Sequence, residues 1–323
     1  MKALVCGGAG YIGSHMVRAL ERAGHEVLVL DDLSTGHREA VVNAQLVLAS
    51  LLDESRIDSA FESFRPDIVF HFAALSIVRD SVADPLTYYR NNIAGSINLL
   101  ASMRRHAVSS IVFSSSAAVY GLPSVGLIDE SQALCPINPY GSSKMAMERL
   151  LAEAHVAYGI RSVSLRYFNA AGADPEGGIG EAHEPETHLI PNALRAAAEG
   201  SPLHVFGRDY TTADGTCVRD YVHVCDLAHA HLLAADYMRH RDGAHVFNLG
   251  TGRGSSVMDV VAAVEGVTGR KVEVVYSPRR EGDPDRLVAT HARASDELGW
   301  SPAMSDIESI VRSAWKWHAQ RNY

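Results

Sequence analysis

Residues 2–13 read KALVCGGAGYIG, and this stretch predicts how the first half of the chain folds. The apolar run at 2–6 is typical of a buried parallel strand, and it leads directly into a turn with glycine at positions 7, 10 and 13. A helix should follow to about Ala23, with Gly24 as its stop signal. Because such a turn brings backbone N–H groups and a positive helix end to one point, it predicts a site for the pyrophosphate of a dinucleotide.

The second predicted strand supports a dinucleotide site. It spans residues 26–30 and ends in Asp31 and Asp32. A carboxylate at that strand end can accept hydrogen bonds from the ribose of adenosine, and it repels a 2′-phosphate. Asp31 therefore favours NAD over NADP as the cofactor.

Strand and helix patterns alternate through the rest of the first half. Strands are predicted at 45–49, 67–72 and 110–113, and helices at 54–64 and 85–105. This alternation predicts an α/β fold, a doubly wound parallel sheet with helices on both faces. We assign residues 1–169 to an NAD-binding domain and 170–323 to a smaller mixed α/β lobe that binds the substrate. Segments near 220–250 are expected to return to the first domain.

The composition limits the class of protein. With 323 residues, 47% of them hydrophobic and 21% charged, the chain has the make-up of an ordinary globular protein. A net charge of -9 without a basic run argues against a nucleic-acid partner. We expect a cytoplasmic protein without membrane contact, because no apolar run reaches the ~20 residues that span a bilayer and no signal peptide precedes the first strand. The four cysteines lack the paired spacing of a metal site, so no metal is predicted.

A second motif, PYGSSK at residues 139–144, points to catalysis. Residues four apart share one face of a helix, so Tyr140 and Lys144 should lie side by side. A nearby cation favours the phenolate form of tyrosine. Lowering its pKa by three units needs about 4 kcal/mol, which Lys144 and a second positive charge could supply. The pair predicts a tyrosine base, although the same spacing also occurs in ordinary helices.

These motifs together resemble the extended short-chain dehydrogenase/reductase family over nearly the whole chain, and within it the UDP-glucose (UDP-galactose) 4-epimerases. The resemblance is carried by the glycine loop, Asp31, Asn91-Asn92, the serines 114–116, Tyr140 with Lys144, and RYFN at 166–169. It implies an NAD-dependent isomerase that interconverts the two UDP-hexoses through a transient 4-keto sugar. Catalysis would then depend on Ser116 and Lys144 beside the base Tyr140.

The motifs and the resemblance also imply two sets of binding residues. Those expected at NAD are Gly7, Gly10, Tyr11, Ile12, Gly13, Asp31, Phe72, Ala73, Asn92, Ser114, Tyr140, Lys144 and Tyr167. Those expected at the UDP-sugar are Ser116, Tyr140, Asn169, His188, Leu189, Arg219, Arg280 and Asp283. The planar guanidinium groups of the two arginines match the oxygens of a diphosphate.

Departures from the family pattern affect both ligands. Ser76 and Ser50 stand where a lysine beside the pyrophosphate and an aspartate at the adenine are common, so two cofactor contacts would be lost. Leu287 aligns with a position that often holds a tyrosine. A smaller residue could admit a 2-acetamido group, and UDP-N-acetylhexosamines become additional candidate substrates. The alternative is that Leu287 only packs.

Several other functions remain open on the sequence. Ala117 and Ala118 follow Ser116 where related 4,6-dehydratases carry an Asp-Glu pair, so dehydration is disfavoured. An epimerase for UDP-pentoses or UDP-uronates, or a dehydrogenase that releases NADH, would use the same motifs. A catalytically inactive NAD-binding sensor is disfavoured because the residues of the active site are all present. The resemblance also implies a homodimer built from helices 85–105 and 142–158.

Overall fold

Seven parallel strands form the central sheet of the computed structural model, which describes residues 1–123, 126–280 and 282–323. In chain order, the strands are β1 (Lys2–Cys6), β2 (Glu26–Asp31), β3 (Gln45–Leu48), β4 (Ile68–His71), β5 (Ser110–Ser116), β6 (Arg161–Tyr167), β7 (Asn169–Ala171), β8 (Leu203–Phe206), β9 (Val218–Arg219), β10 (Tyr221–His223), β11 (Ala244–Leu249), β12 (Ser255–Ser256), β13 (Val274–Ser277) and β14 (Arg286–Leu287). The helices are α1 (Tyr11–Arg22), α2 (Glu54–Phe64), α3 (Val78–Ala83), α4 (Pro85–Tyr89), α5 (Gly95–Arg105), α6 (Pro139–Tyr158), α7 (Leu189–Glu199), α8 (Val224–His240), α9 (Val257–Thr268), α10 (Ala292–Leu298) and α11 (Ile307–Gln320).

The strand order of the central sheet is β3-β2-β1-β4-β5-β6-β11, which confirms the predicted doubly wound parallel fold. The chain moves outward from β1 through β2 to β3, and then returns to the other side of β1 for β4. Ligands of such sheets bind beyond the carboxyl ends of the strands at this reversal. The edge strand β11 pairs with β6 and comes from the second half of the chain. The division into two domains stays a prediction.

Helices cover both faces of this sheet. On one face, Met16 and Leu20 of α1 pack with Leu227 and Met238 of α8. On the other face, the core includes Phe61 of α2, Leu99 of α5, and Met147 and Leu151 of α6. Each of these side chains is almost fully buried, and burying one contributes roughly 1.5–3 kcal/mol. The rigid sheet therefore fixes where its strand ends present their side chains.

The predicted helix at 85–105 is confirmed, and it contains a π-helical turn, Arg90–Ala94, between α4 and α5. Three helices were not predicted: the short helices α3 and α10 and the long helix α8. In α8 the buried face is largely alanine and includes the polar residues Asp226 and His231, so its apolar periodicity is weak.

In the second half of the chain, α7, α9 and α11 pack around Leu194, Val264 and Ile310, which are almost fully buried. The remaining strands form small sheets that are separate from the central sheet. In the three-stranded one, β9 pairs with both β12 and β14, which sets Arg219 beside Leu287. Among the described residues, no helix is both long and apolar enough to cross a membrane.

Candidate active site

A cavity of about 530 Å³ lies where the carboxyl ends of the central strands face residues from the second half of the chain. Of the residues that the sequence predicts for ligand binding, the following line it: Gly7, Gly10, Tyr11, Ile12, Gly13, Asp31, Phe72, Ala73, Ser114, Ser116, Tyr140, Lys144, Tyr167, Asn169, His188, Leu189, Arg219 and Asp283. Ser50, Ser76 and Leu287 line it as well. Folding therefore brings most of the predicted site to one place.

The glycine loop has the shape that a pyrophosphate requires. Gly7 has φ +79, and a Cβ there would lie 2.4 Å from the Ala73 amide nitrogen. A Cβ on Gly13 would lie 2.0 Å from the Gly7 carbonyl oxygen, so α1 can approach β1 only with glycine there. Gly10 caps α1 and has no side chain to accept from the first-turn N–H groups, which leaves those donors for a ligand. The loop fits the phosphates of NAD.

Asp31 holds this loop in place. Its carboxylate accepts hydrogen bonds from the Ala9 N–H at 2.9 Å and the Leu33 N–H at 2.8 Å. The residue is 8% exposed, and burial raises the pKa of Asp31 although both N–H donors oppose the shift. A carboxylate oxygen has two lone pairs, so each oxygen can still accept a ribose hydroxyl.

Helix α6 brings the candidate catalytic residues together. The Asn138 side chain caps the helix by accepting from the Gly141 N–H at 2.8 Å. A Cβ on Gly141 would lie 2.5 Å from the Ala118 carbonyl oxygen, so the helix start can approach the turn after β5 only with glycine there. Tyr140 and Ser116 both line the cavity, and the Ser116 hydroxyl is close enough to Tyr140 to favour a lower pKa of the phenol. The arrangement places a proton donor near the candidate base.

Burial shifts the pKa values of Tyr140 and Lys144 in opposite directions. Burial raises the pKa of Tyr140, and the hydrogen bond from Ser116 only partly opposes the shift. Lys144 donates to the Ser114 carbonyl at 2.7 Å, and its Nζ lies 5.7 Å from the centre of the Tyr140 ring. Burial lowers the pKa of Lys144 to about 7, although the Glu148 carboxylate opposes this shift. Desolvation of the phenolate thus dominates in the protein by itself, and the predicted fall in the tyrosine pKa, which requires a second positive charge in addition to Lys144, stays a prediction.

A buried ion pair that the sequence analysis missed lies one helical turn beyond Lys144. The carboxylate of Glu148 accepts from Arg166 Nε at 2.9 Å and from Arg166 Nη2 at 2.5 Å. It also accepts from the Ser115 hydroxyl at 2.5 Å, and Arg166 donates to the Tyr120 hydroxyl at 2.7 Å. The signal was available in the sequence, since Tyr140, Lys144 and Glu148 repeat every four residues along α6.

Asn92 lies behind the cavity wall. It belongs to the π-helical turn and is 3% exposed. Its amide accepts from the Leu75 N–H at 2.9 Å and donates to the Leu75 carbonyl at 3.0 Å and to Ser143 at 3.1 Å. In this position Asn92 fixes the segment after β4, whereas its neighbour Asn91 lines the cavity.

The two predicted arginines lie in different surroundings. Arg219 pairs with the carboxylate of Asp283 and donates to the Pro284 carbonyl at 2.9 Å. The exposed Arg280 instead stacks on the Phe206 ring, with 4.1 Å from the guanidinium carbon to the ring centre. Arg280 is not among the residues of the cavity wall, although Gly282 and Asp283 close to it in sequence are, and its contact with the diphosphate stays a prediction.

His188 belongs to a cluster of charged groups on the cavity wall. Its Nδ1 lies 2.7 Å from Glu181 Oε1 and 3.2 Å from Glu186 Oε1, and His183 Nδ1 lies 3.2 Å from Glu181 Oε1. Against the effect of burial, Glu181 raises the pKa of His188 to about 10. Also against burial, the two histidines lower the pKa of Glu181 to about 2. The sequence analysis named only His188 of these residues, because the partners lie in a loop without periodicity.

Comparisons with known proteins agree with this site. The profile of the NAD dependent epimerase/dehydratase family matches residues 3–250. The chain is 48% identical over 320 residues to the UDP-glucose 4-epimerase of Lacticaseibacillus casei, with 98% of this chain and 97% of that protein covered. The crystal structure of UDP-glucose 4-epimerase from Brucella ovis in complex with NAD superposes with a TM-score of 0.95 at 48% identity and covers 98% of this chain and 97% of that one. The crystal structure of UDP-glucose 4-epimerase from Bifidobacterium longum in complex with NAD+ and UDP superposes with a TM-score of 0.94 at 36% identity, with 99% of each chain covered.

Proposed function

The chain belongs to the NAD dependent epimerase/dehydratase family, and we propose that it interconverts UDP-glucose and UDP-galactose with NAD as its cofactor. One observation carries this proposal. A single cavity joins the glycine loop and Asp31 to the group formed by Ser116, Tyr140 and Lys144. Its wall also holds Arg219, which suits the diphosphate of a nucleotide sugar.

Tyr140, Ser116 and Lys144 have different roles in proton transfer at C4 of the hexose. Tyr140 takes the proton of the C4 hydroxyl and returns one when the hydroxyl re-forms. Ser116 donates a hydrogen bond to the same sugar oxygen and relays the proton. Lys144 is anchored by the Ser114 carbonyl, so its ammonium has a fixed position beside the base. Ala117 and Ala118 cannot move a proton, so dehydration does not compete.

The glycine loop, Asp31 and Lys144 would hold NAD. When bound, NAD supplies a reversible hydride acceptor and, in its oxidised form, a positive charge. Burial raises the pKa of Tyr140 in the protein by itself. The positive charge of oxidised NAD would oppose this shift, because it favours the phenolate form that acts as the base. Exchange of the two epimers requires the 4-keto sugar to present its other face, so binding has to be concentrated on the nucleotide.

A test of this function measures products rather than cofactor reduction. The protein given UDP-glucose should form UDP-galactose, resolved by chromatography, without net accumulation of NADH. In Tyr140→Phe, turnover should fall about 10²–10⁴-fold because the proton acceptor is lost, while the bound NAD content stays unchanged. Stoichiometric release of NADH would instead indicate a dehydrogenase, and undiminished turnover in the variant would refute the role of Tyr140.

We also propose that UDP-N-acetylhexosamines are substrates. Leu287 lies on the cavity wall, and its strand β14 pairs with β9 so that Leu287 sits beside Arg219. An aliphatic side chain leaves more room at this place than a tyrosine would. This additional space supports the proposal that the cavity accepts a 2-acetamido group.

We further propose a homodimer formed by α4, α5 and α6. Large apolar side chains on these helices are exposed, with 79% for Leu86, 47% for Ile97 and 86% for Val156. Exposed apolar groups on neighbouring helices favour contact with another protein surface. A second copy of the chain would cover them by helix packing across a twofold axis.

A further inference from the structure

Asp283 lies on the cavity wall, where it is expected to bind the nucleotide of the UDP-sugar, and two side chains hold its carboxylate. Its Oδ1 accepts from Arg219 Nη2, and its Oδ2 accepts from the hydroxyl of Tyr210 at 3.1 Å. A carboxylate oxygen has two lone pairs, so each oxygen can accept one further hydrogen bond. The phosphate oxygens of a UDP-sugar are ionised acceptors, so Asp283 can bind only its hydroxyl and N–H groups.

Tyr210 is fixed in place by backbone and side-chain contacts. It is 4% exposed, and its backbone N–H donates to the Gly215 carbonyl at 3.0 Å. Gly207 has φ +86, and a Cβ there would lie 2.5 Å from Tyr210 Cε2, so the ring fits only beside glycine. The guanidinium carbon of Arg279 lies 4.0 Å from the centre of the ring. These contacts together determine where the ring presents its hydroxyl.

Asp283 also restricts the direction of Arg219. Nη1 of Arg219 donates to the carbonyls of Val218 at 2.8 Å and Pro284 at 2.9 Å, and Nη2 donates to Asp283. These contacts use at most three of the five N–H groups that a guanidinium carries. At least two are left, which is the number that a bidentate contact with a phosphate needs. A displaced Asp283 would therefore disturb this cation as well as the carboxylate.

The hydroxyl of Tyr210 is a permanent donor. Burial raises the pKa of Tyr210, and the negative charge of Asp283 raises it further. The phenol therefore stays protonated at neutral and mildly alkaline pH. A donor of this kind suits the support of a carboxylate, whereas an acid-base catalyst has to gain and lose its proton.

We propose that Tyr210 is a positioning residue for the nucleotide of the substrate: its hydroxyl holds the carboxylate of Asp283, and Asp283 in turn orients Arg219 toward the diphosphate. This inference rests on the proposed function, because it assumes a UDP-sugar in the cavity. Tyr210 acts through Asp283, whereas proton transfer at the sugar belongs to Tyr140 on α6. Loss of the Tyr210 hydroxyl should therefore weaken substrate binding without slowing the chemical step.

The test is Tyr210→Phe, which keeps the ring beside Arg279 and removes only the hydroxyl. KM is measured with UDP-glucose, and Kd is measured with UDP by calorimetry on the NAD-bound protein. Both should rise about 3–10-fold, because the lost hydrogen bond supports a carboxylate that is partly exposed to solvent. The value of kcat should stay within about twofold of the wild type.

A second background separates positioning from general packing. Asp283→Ala removes the carboxylate, so adding Tyr210→Phe to it should raise the Kd for UDP no further. Tyr276→Phe is the matched control, since Tyr276 is 44% exposed, its ring lies 5.7 Å from the guanidinium carbon of Arg208, and its hydroxyl contacts the Met258 sulfur at 3.7 Å. This variant should keep the wild-type KM and Kd.

An unchanged KM and Kd in Tyr210→Phe would overturn the inference. A loss of the same size in the Asp283→Ala background would overturn it too, because the hydroxyl would then act independently of Asp283. So would a fall in kcat with an unchanged KM. Formation of UDP-galactose by the wild type, measured in parallel, shows whether only this inference fails; a wild type that neither binds UDP nor epimerises UDP-glucose would overturn the proposed function as well.

Discussion

Replacing Glu148 by glutamine should destabilise the protein strongly. Glu148 is 8% exposed and Arg166 is 4% exposed, and two hydrogen bonds join them. Glutamine keeps the size but removes the charge, so the guanidinium is left buried without a counter-ion. Breaking a buried pair in this way costs about 3–5 kcal/mol. For a chain of this length, such a loss lowers the melting temperature by about 4–7 °C.

The matched control replaces both partners. In Glu148→Met with Arg166→Met, no charge is stranded, and the loss in stability should be much smaller than in Glu148→Gln. Thermal and urea unfolding, followed by circular dichroism on both variants, measure the difference. The reasoning is refuted if Glu148→Gln loses less than about 1 kcal/mol, or if the double variant is destabilised as much as the single one.

The same substitution should change the pH dependence of catalysis. Burial lowers the pKa of Lys144 to about 7, and Glu148 opposes that shift. Without the carboxylate the pKa of Lys144 should fall further, so its cation is lost at a lower pH. We expect the alkaline side of the kcat profile of Glu148→Gln to move to lower pH, whereas a purely structural role would scale the whole profile uniformly.

Two further predictions concern specificity and assembly. Leu287→Tyr should reduce kcat/KM for UDP-N-acetylglucosamine by about tenfold or more, because the tyrosine ring fills the space of the acetamido group. It should change kcat/KM for UDP-glucose little. A variant that keeps the wild-type activity on both substrates would contradict the argument. Leu86→Glu places a charge on the exposed apolar face of α4 and α5. The variant should be a monomer in sedimentation or gel filtration, where the wild type should be a dimer. A monomeric wild type would contradict the proposed dimer.

Local patterns predicted the elements that form the candidate cofactor site. The glycines at 7, 10 and 13 and Asp31 lie within one strand-turn-helix-strand unit, so their relation depends on backbone geometry that a short stretch can specify. Tyr140 and Lys144 are related in the same way by one turn of α6. By contrast, α8 has a weak periodicity because its buried face is largely alanine, and the pattern alone did not reveal it.

Residue identity and spacing thus determined by themselves that the chain forms a doubly wound sheet with a dinucleotide site, and they predict a tyrosine base. Only the tertiary structure decided which distant groups meet: Arg219 with Asp283, Arg166 with Glu148, and Arg280 with the Phe206 ring. It also decided the sign of the pKa shifts of Tyr140 and Lys144. The physical reason is that desolvation and ion pairing depend on what surrounds a group in space, and those surroundings come from segments far apart along the chain.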